Sequence, residues 1–149
     1  MARCYAQHID HYVTAMQDIE RARYFYCDLL GGTLRRQAYK FLPEMDPLGT
    51  RPPTLSVKLG TVELDLFGDE LFGLPYRKDN RGIPRYAYEV ATEDFPKIVE
   101  RLRAVGYKFD GPDSDAGDDA THVWMHDPEG NFVEVVDRGR PKSRTQDEV

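Results

Sequence analysis

Residues 126–136 read HDPEGNFVEVV, a turn running into a strand. Asp127-Pro128-Glu129-Gly130-Asn131 is turn chemistry, because Pro fixes φ while Gly and Asn tolerate positive φ. The residues after it favour a strand. Alternation along that strand puts Phe132, Glu134 and Val136 on one face and Val133 and Val135 on the other. A carboxylate between Phe and Val on an apolar face has two readings. Either the strand lies at an edge, or Glu134 enters a pocket where it has a partner.

Upstream of the turn, ATHVWMH (120–126) reads as a strand whose His122, Trp124 and His126 share a face. YKFDG (107–111) reads as another, and RYAYEVA (85–91) as the first of the group. Between them EDFPKIVERLRAVG (93–106) has helical spacing, with Phe95, Ile98, Val99, Leu102 and Val105 on one stripe. Thr92 or Asp94 starts that helix, Pro96 suits its first turn, and Gly106 stops it. Residues 85–137 therefore read β-α-β-β-β.

Residues 8–68 give the same order. HIDHYVTAM (8–16) reads as a strand, and Asp18 caps a helix over DIERARYFYCDLLGG (18–32). Ile19, Ala22, Phe25 or Tyr26, and Leu29 follow helical spacing, and Gly31 and Gly32 end the helix. TLRRQAYKFL (33–42), TLSVKLG (54–60) and TVELDLFG (61–68) read as strands, with PEMDPLGTRPP (43–53) a loop between the first two. Within one domain of 149 residues this gives a first module (8–68), a connector (69–84), a second module (85–137) and a basic, polar, frayed tail (138–149). HYVTAMQDIERA lines up with RYAYEVATEDFP, and GTVELDL with GNFVEVV. An internal repeat of this kind places equivalent positions at equivalent points of two units. His11 and Arg85 then correspond on the first strands, and Glu63 (or Asp65) and Glu134 on the last.

A net charge of −6 argues against nucleic acid as partner, since such partners need a basic face. No apolar run approaches the roughly 20 residues of a membrane span, and residues 1–12 lack the apolar segment of a signal peptide. Cys4 and Cys27 form no metal-spaced pair and no disulfide framework. The expected setting is therefore the reducing cytoplasm. Cys27 reads as a small core residue.

IDHYVTAMQDIERARYFYCDLLGG and HDPEGNFVEVVD, together with the repeat, resemble the opening and closing stretches of the vicinal oxygen chelate superfamily. That group contains glyoxalase I, fosfomycin- and bleomycin-resistance proteins, and type I extradiol dioxygenases. The resemblance covers residues 8–137. It implies an α+β fold of two βαβββ modules whose curved mixed sheets form a cup, with a metal at the cup's floor. By position it makes His11 the first ligand, Glu63 the middle carboxylate with Asp65 as fallback, and Glu134 the last ligand and proton-moving carboxylate. It also implies a second copy of the chain as partner. The sequence departs from the pattern at Arg85, where a second His is usual; a guanidinium offers donors only and cannot ligate a cation. Trp124 stands where dioxygenases usually carry Tyr, so their signature is incomplete.

The pocket inventory is His11, Glu63 or Asp65, Arg85, Tyr88, His122, Trp124 and Glu134, edged by residues 40–53 and 68–84. Taken singly, several of these have plainer readings: Trp124 as core, His122 as a hydrogen-bonded structural histidine and Arg85 as a surface residue; outside the inventory, His8 and His126 read as solvent-facing flanks of turns. Two functions follow. In the first, His11, Glu63 and Glu134 hold Fe, Mn, Ni or Zn with open positions for a small oxygen-bearing substrate, and Glu134 and His122 serve the chemistry. In the second, Arg85 pairs with a carboxylate or clamps an anion, and Trp124 and Tyr88 bind a flat organic molecule without metal or turnover.

Overall fold

The structure is a computed structural model, and it describes residues 9–39, 53–68, 85–114 and 119–141. His8, Cys4, the greater part of the 43–53 loop, the 69–84 connector and residues 142–149 lie outside the described residues. The chain divides into two compact units, Met1–Tyr76 and Arg77–Val149.

In the first unit, β1 (His11–Met16) leads to α1 (Ile19–Arg23), a π-helical segment (Tyr24–Leu29), β2 (Thr33–Ala38), β3 (Thr54–Leu59) and β4 (Val62–Gly68). The sheet order is β1-β4-β3-β2, with β1 parallel to β4 and the other pairs antiparallel. Asp18 caps α1 by accepting from the Arg21 N–H at 3.0 Å. The single helix expected over 18–32 changes pitch midway: the Leu30 N–H reaches the Phe25 carbonyl five residues back. This wider turn resolves the choice between Phe25 and Tyr26, because both are fully buried and their rings meet edge to face at 4.9 Å. Gly31 and Gly32 end the helix through N–H bonds to the Cys27 and Tyr26 carbonyls. Gly32 is required by closeness, since a Cβ there would stand 2.6 Å from Val57 Cγ1 and 2.7 Å from the Tyr26 carbonyl oxygen. Leu55, Val57, Leu64 and Leu66 complete this core on the sheet face away from His11.

The second unit repeats the order with β5 (Arg85–Val90), α2 (Phe95–Ala104), β6 (Asp110–Asp113), β7 (Thr121–His126) and β8 (Phe132–Asp137), arranged β5-β8-β7-β6. Both units are thus βαβββ modules with mixed four-stranded sheets, as expected from the repeat. In α2, Phe95, Ile98, Val99 and Leu102 are buried, while Val105 is 50% exposed because the helix has already ended there. Asp94 begins the helix without a side-chain cap; its carboxylate instead accepts from Lys97 Nζ at 2.7 Å. Thr92 ties this end to β8 through a hydroxyl bond to Asp137 at 2.8 Å.

The strand expected at 107–111 forms later, at Asp110–Asp113, and Tyr107 instead donates its hydroxyl to the His126 carbonyl at 2.7 Å. Pro112 is accommodated because β6 ends the sheet order. Gly111 (φ 99°) passes so near β7 that a Cβ would lie 2.6 Å from the His122 carbonyl oxygen.

The turn at 127–131 folds as its chemistry dictates. Asp127 accepts from the Glu129 and Asn131 backbone N–H groups at 2.9 and 2.8 Å, which sends the chain directly into β8.

Candidate functional site

Glu134 lies on β8, an interior strand between β5 and β7, so the edge explanation for its place on an apolar face does not hold. The alternative, a partner, does. His122 Nδ1 stands 2.6 Å from Glu134 Oε1, and Arg85 Nε lies 3.4 Å from Oε2. With Glu134 ionised, the carboxylate only accepts, so His122 donates from Nδ1. The strand registers explain the meeting. Ala87 and Trp124 stand directly opposite Glu134, and Arg85 and His122 are each two residues away, on diagonals that long side chains reach. Ala87 is short and leaves that diagonal open to Arg85. The carboxylate and imidazole are nearly closed off, with side-chain exposures of 10% and 5%. The Arg85 side chain is half exposed.

Trp124 completes the array. Its ring stacks on His122 with centroids 5.3 Å apart and planes 4° from parallel, and it is half-buried. His126 continues the same face and meets Phe132 edge to face at 5.0 Å. Tyr88 is a correction to the expected inventory. It stands opposite Val135, and the period of two turns it to the face away from Glu134, Arg85 and Trp124.

The first unit gathers a different set. Asp10, His11, Arg35, Lys58, Thr61, Glu63 and Asp65 line one cavity of about 300 Å³. His11 stands opposite Glu63 across the parallel β1–β4 pair, and Val13 stands opposite Asp65. His11 Nδ1 lies 2.8 Å from Asp10 Oδ2. That hydrogen bond, opposed by desolvation and helped by the charges of Asp10, Asp65 and Glu63, holds the imidazole pKa above its ordinary value. Asp65 accepts from the Ser56 hydroxyl at 2.5 Å.

Register also bears on Glu63 versus Asp65. With His11 matched to Arg85, the residue facing two positions further along is Asp65 in the first unit and Glu134 in the second. Asp65 is therefore the counterpart of Glu134, and Glu63 is the counterpart of Phe132. Matching the letters VEL to VEV misses this, because the strands pair two residues out of step with that alignment, which keeps the face but changes the counterpart.

Among the described residues no group of three or more His, Cys, Asp or Glu side chains is placed to hold a metal ion. In the second unit Glu134 is already engaged by a guanidinium and an imidazole, and a cation at Arg85 opposes another cation beside it. In the first, His11, Glu63 and Asp65 share a cavity with two further cations, Arg35 and Lys58.

Sequence reasoning did not single out Arg35, Lys58 or Ser56. Lys58 and Ser56 could have been found from the period of two across β3, facing Glu63 and Asp65. Arg35 gave no such signal, because it sits where the β2–β3 register slips between Leu34 and Arg36.

A sequence profile described as Glyoxalase/Bleomycin resistance protein/Dioxygenase superfamily matches residues 8–135. No curated protein sequence matches significantly. Among solved structures, a glyoxalase/dioxygenase from Nostoc punctiforme is 21% identical with a TM-score of 0.67, covering 95% of this chain and 97% of its own. A lactoylglutathione lyase from Agrobacterium tumefaciens is 20% identical with a TM-score of 0.62, covering 90% of this chain and 96% of its own. A mutant fosfomycin resistance protein from Listeria monocytogenes, complexed with Mn(II) and 1S,2S-dihydroxypropylphosphonic acid, is 11% identical with a TM-score of 0.63, covering 87% of this chain and 91% of its own. At these identities the likeness concerns the fold.

Proposed function

Because the chain belongs to the glyoxalase/bleomycin resistance protein/dioxygenase superfamily, we propose that it binds a small oxygen-bearing organic molecule, and that its second module does so without a metal. The observation that carries this reading is the engagement of Glu134 by both Arg85 and His122. A carboxylate hydrogen-bonded by an imidazole on one oxygen and ion-paired with a guanidinium at the other is held in place and neutralised, rather than left open to a cation. Arg85 uses its Nε edge for Glu134, and its half-exposed guanidinium keeps donors for an anionic or polar oxygen of the ligand. Trp124, fixed by stacking on His122, offers a flat apolar surface beside those donors. Binding, orientation and shielding are what these residues supply.

The chain contains one Trp, so its fluorescence reports on this array alone. Titration with a panel of aromatic and anionic oxygen compounds, in the presence of chelator, should give saturable quenching for at least one compound. Arg85→Met should weaken that binding about tenfold. Quenching that requires added Fe, Mn, Ni or Zn would overturn the metal-free reading.

A metal-dependent enzyme of the glyoxalase or dioxygenase kind is the second reading. It is favoured by one observation, the presence of His11, Glu63 and Asp65 in one cavity, and by the Mn(II) complex of the Listeria fold relative. Such a metal would polarise vicinal oxygens of the substrate. Metal content near one equivalent after reconstitution would move the conclusion to it. We further propose a homodimer. Ile9 (65% exposed) and Val13 (48%) lie along the β1 end of the first sheet, an edge that self-association would cover. Sedimentation at micromolar concentration tests this, and a single monomeric species would refute it.

A further inference from the structure

The cavity of the first module has an unusual division of charge. Its acidic groups come from one side of the sheet order, Asp10 beside β1 and Glu63 and Asp65 on β4. Its permanent cations come from the other, Lys58 on β3 and Arg35 on β2. Register puts Lys58 on the same face as Glu63 and His11, because Thr33, Lys58, Glu63 and His11 form one row across four strands. Arg35 reaches this hollow through the irregularity between Leu34 and Arg36, the kind of bulge that redirects a side chain.

Asp10 is engaged by His11 at 2.8 Å, but the fixed cations and the β4 carboxylates do not pair. Among the described residues, none of Arg35, Lys58, Glu63 and Asp65 forms an ion pair within 4.0 Å. Asp65 is held instead by the buried Ser56 hydroxyl.

We propose that this hollow receives a zwitterionic small molecule, its cationic group on Glu63 and Asp65 and its anionic group on Lys58 and Arg35. A simple anion would sit beside three carboxylates, and a simple cation beside two fixed positive charges; a molecule carrying both charges meets neither penalty. Neighbouring strands are about 5 Å apart, so the two groups of the ligand are separated by a few bonds. A volume of about 300 Å³ suits a molecule of amino-acid size. Thr61, in the turn between β3 and β4, also lines the hollow. The hollow is lined by residues of the first module alone.

The test is an NMR titration of the full chain, following the backbone amides of Lys58, Thr61 and Glu63. The probes are the ω-amino carboxylates from glycine to 6-aminohexanoate and 2-aminoethylphosphonate, with propanoate and propylamine as single-charge controls. At least one zwitterion should shift these amides saturably, and both controls should bind at least about tenfold more weakly. Arg35→Met and Lys58→Met, both exposed positions whose variants should keep a dispersed spectrum, should each weaken the zwitterion about tenfold. Silence of these amides toward every probe, equal binding of propanoate or propylamine, or full affinity in both variants would overturn the proposal. Trp124 quenching under the same conditions reports on the second module, so failure of one site is distinguishable from failure of the other.

Discussion

The two modules share strand order, pairing sense and connection pattern, yet they treat the same positions in opposite ways. In the first, His11 is exposed at the end of β1 and Asp65 is tied to a serine, leaving an open hollow of both charges. In the second, Arg85 replaces the imidazole and closes on Glu134, while His122 fills the other side. A duplicated backbone therefore fixes where side chains can meet, and a few substitutions decide whether the meeting place is open or internally satisfied. His122 has Thr54 as its register counterpart, and Trp124 has Ser56. Two small hydroxyl residues in one sheet correspond to two stacked rings in the other.

Substitutions can test this contrast, the largest effects first. Gly111→Ala combines positive φ with a 2.6 Å approach to the His122 carbonyl oxygen, and should destabilise the protein by about 2–4 kcal/mol while altering Trp124 emission. Gly32→Ala, crowded by Val57 and the Tyr26 carbonyl, should destabilise comparably without altering that emission. Denaturant melts with fluorescence detection check both, and equal emission changes would break the contrast.

Next, Glu134→Ala removes a buried acceptor from His122 and should lower stability by about 1–3 kcal/mol. Glu63→Ala, at a half-buried position with no ion pair among the described residues, should stay within about 0.5 kcal/mol. Equal losses in the two variants would mean that Glu63 is held as firmly as Glu134.

Smaller still, Tyr88→Phe should leave ligand quenching of Trp124 unchanged within about twofold, because Tyr88 lies on the opposite face from Glu134. A tenfold loss would contradict the assigned register.

The least effect is on pH dependence. His11 should titrate above the ordinary value of 6.5, and Asp10→Asn should bring it back down. A raised folded-state pKa contributes stability that is fully present below 6.5 and is lost as pH rises through the folded value. The group is exposed, so the change should be visible in the imidazole resonances and nearly absent from the melting temperature. An unshifted titration would remove Asp10 as the partner of His11.

The repeat was legible because its signals are local. Turn residues before β8, the stripe on α2 and the glycines after the first helix each act within a few residues. Misread elements had tertiary causes. Val105 fits the helical stripe on spacing, but α2 stops one residue earlier. Strand β6 forms around Gly111-Pro112 instead of Tyr107–Phe109, because backbone closeness to β7 selects the glycine and Tyr107 is held by the His126 carbonyl. Phe25 and Tyr26 are alternatives only in a uniform helix; the π-helical turn buries both.

By itself the sequence determined that this chain is built from two βαβββ units, and it singled out the polar residues on their first and last strands. Periodicity, turns and caps are short-range, so they survive in one dimension. Tertiary structure alone decided that Glu134 is shared by Arg85 and His122, that Tyr88 faces away, that Asp65 rather than Glu63 matches Glu134, and that Arg35 and Lys58 join His11 at one hollow. Those outcomes depend on register between strands distant in the chain. A shift of one residue reverses every facing side chain, and sequence spacing carries no record of it.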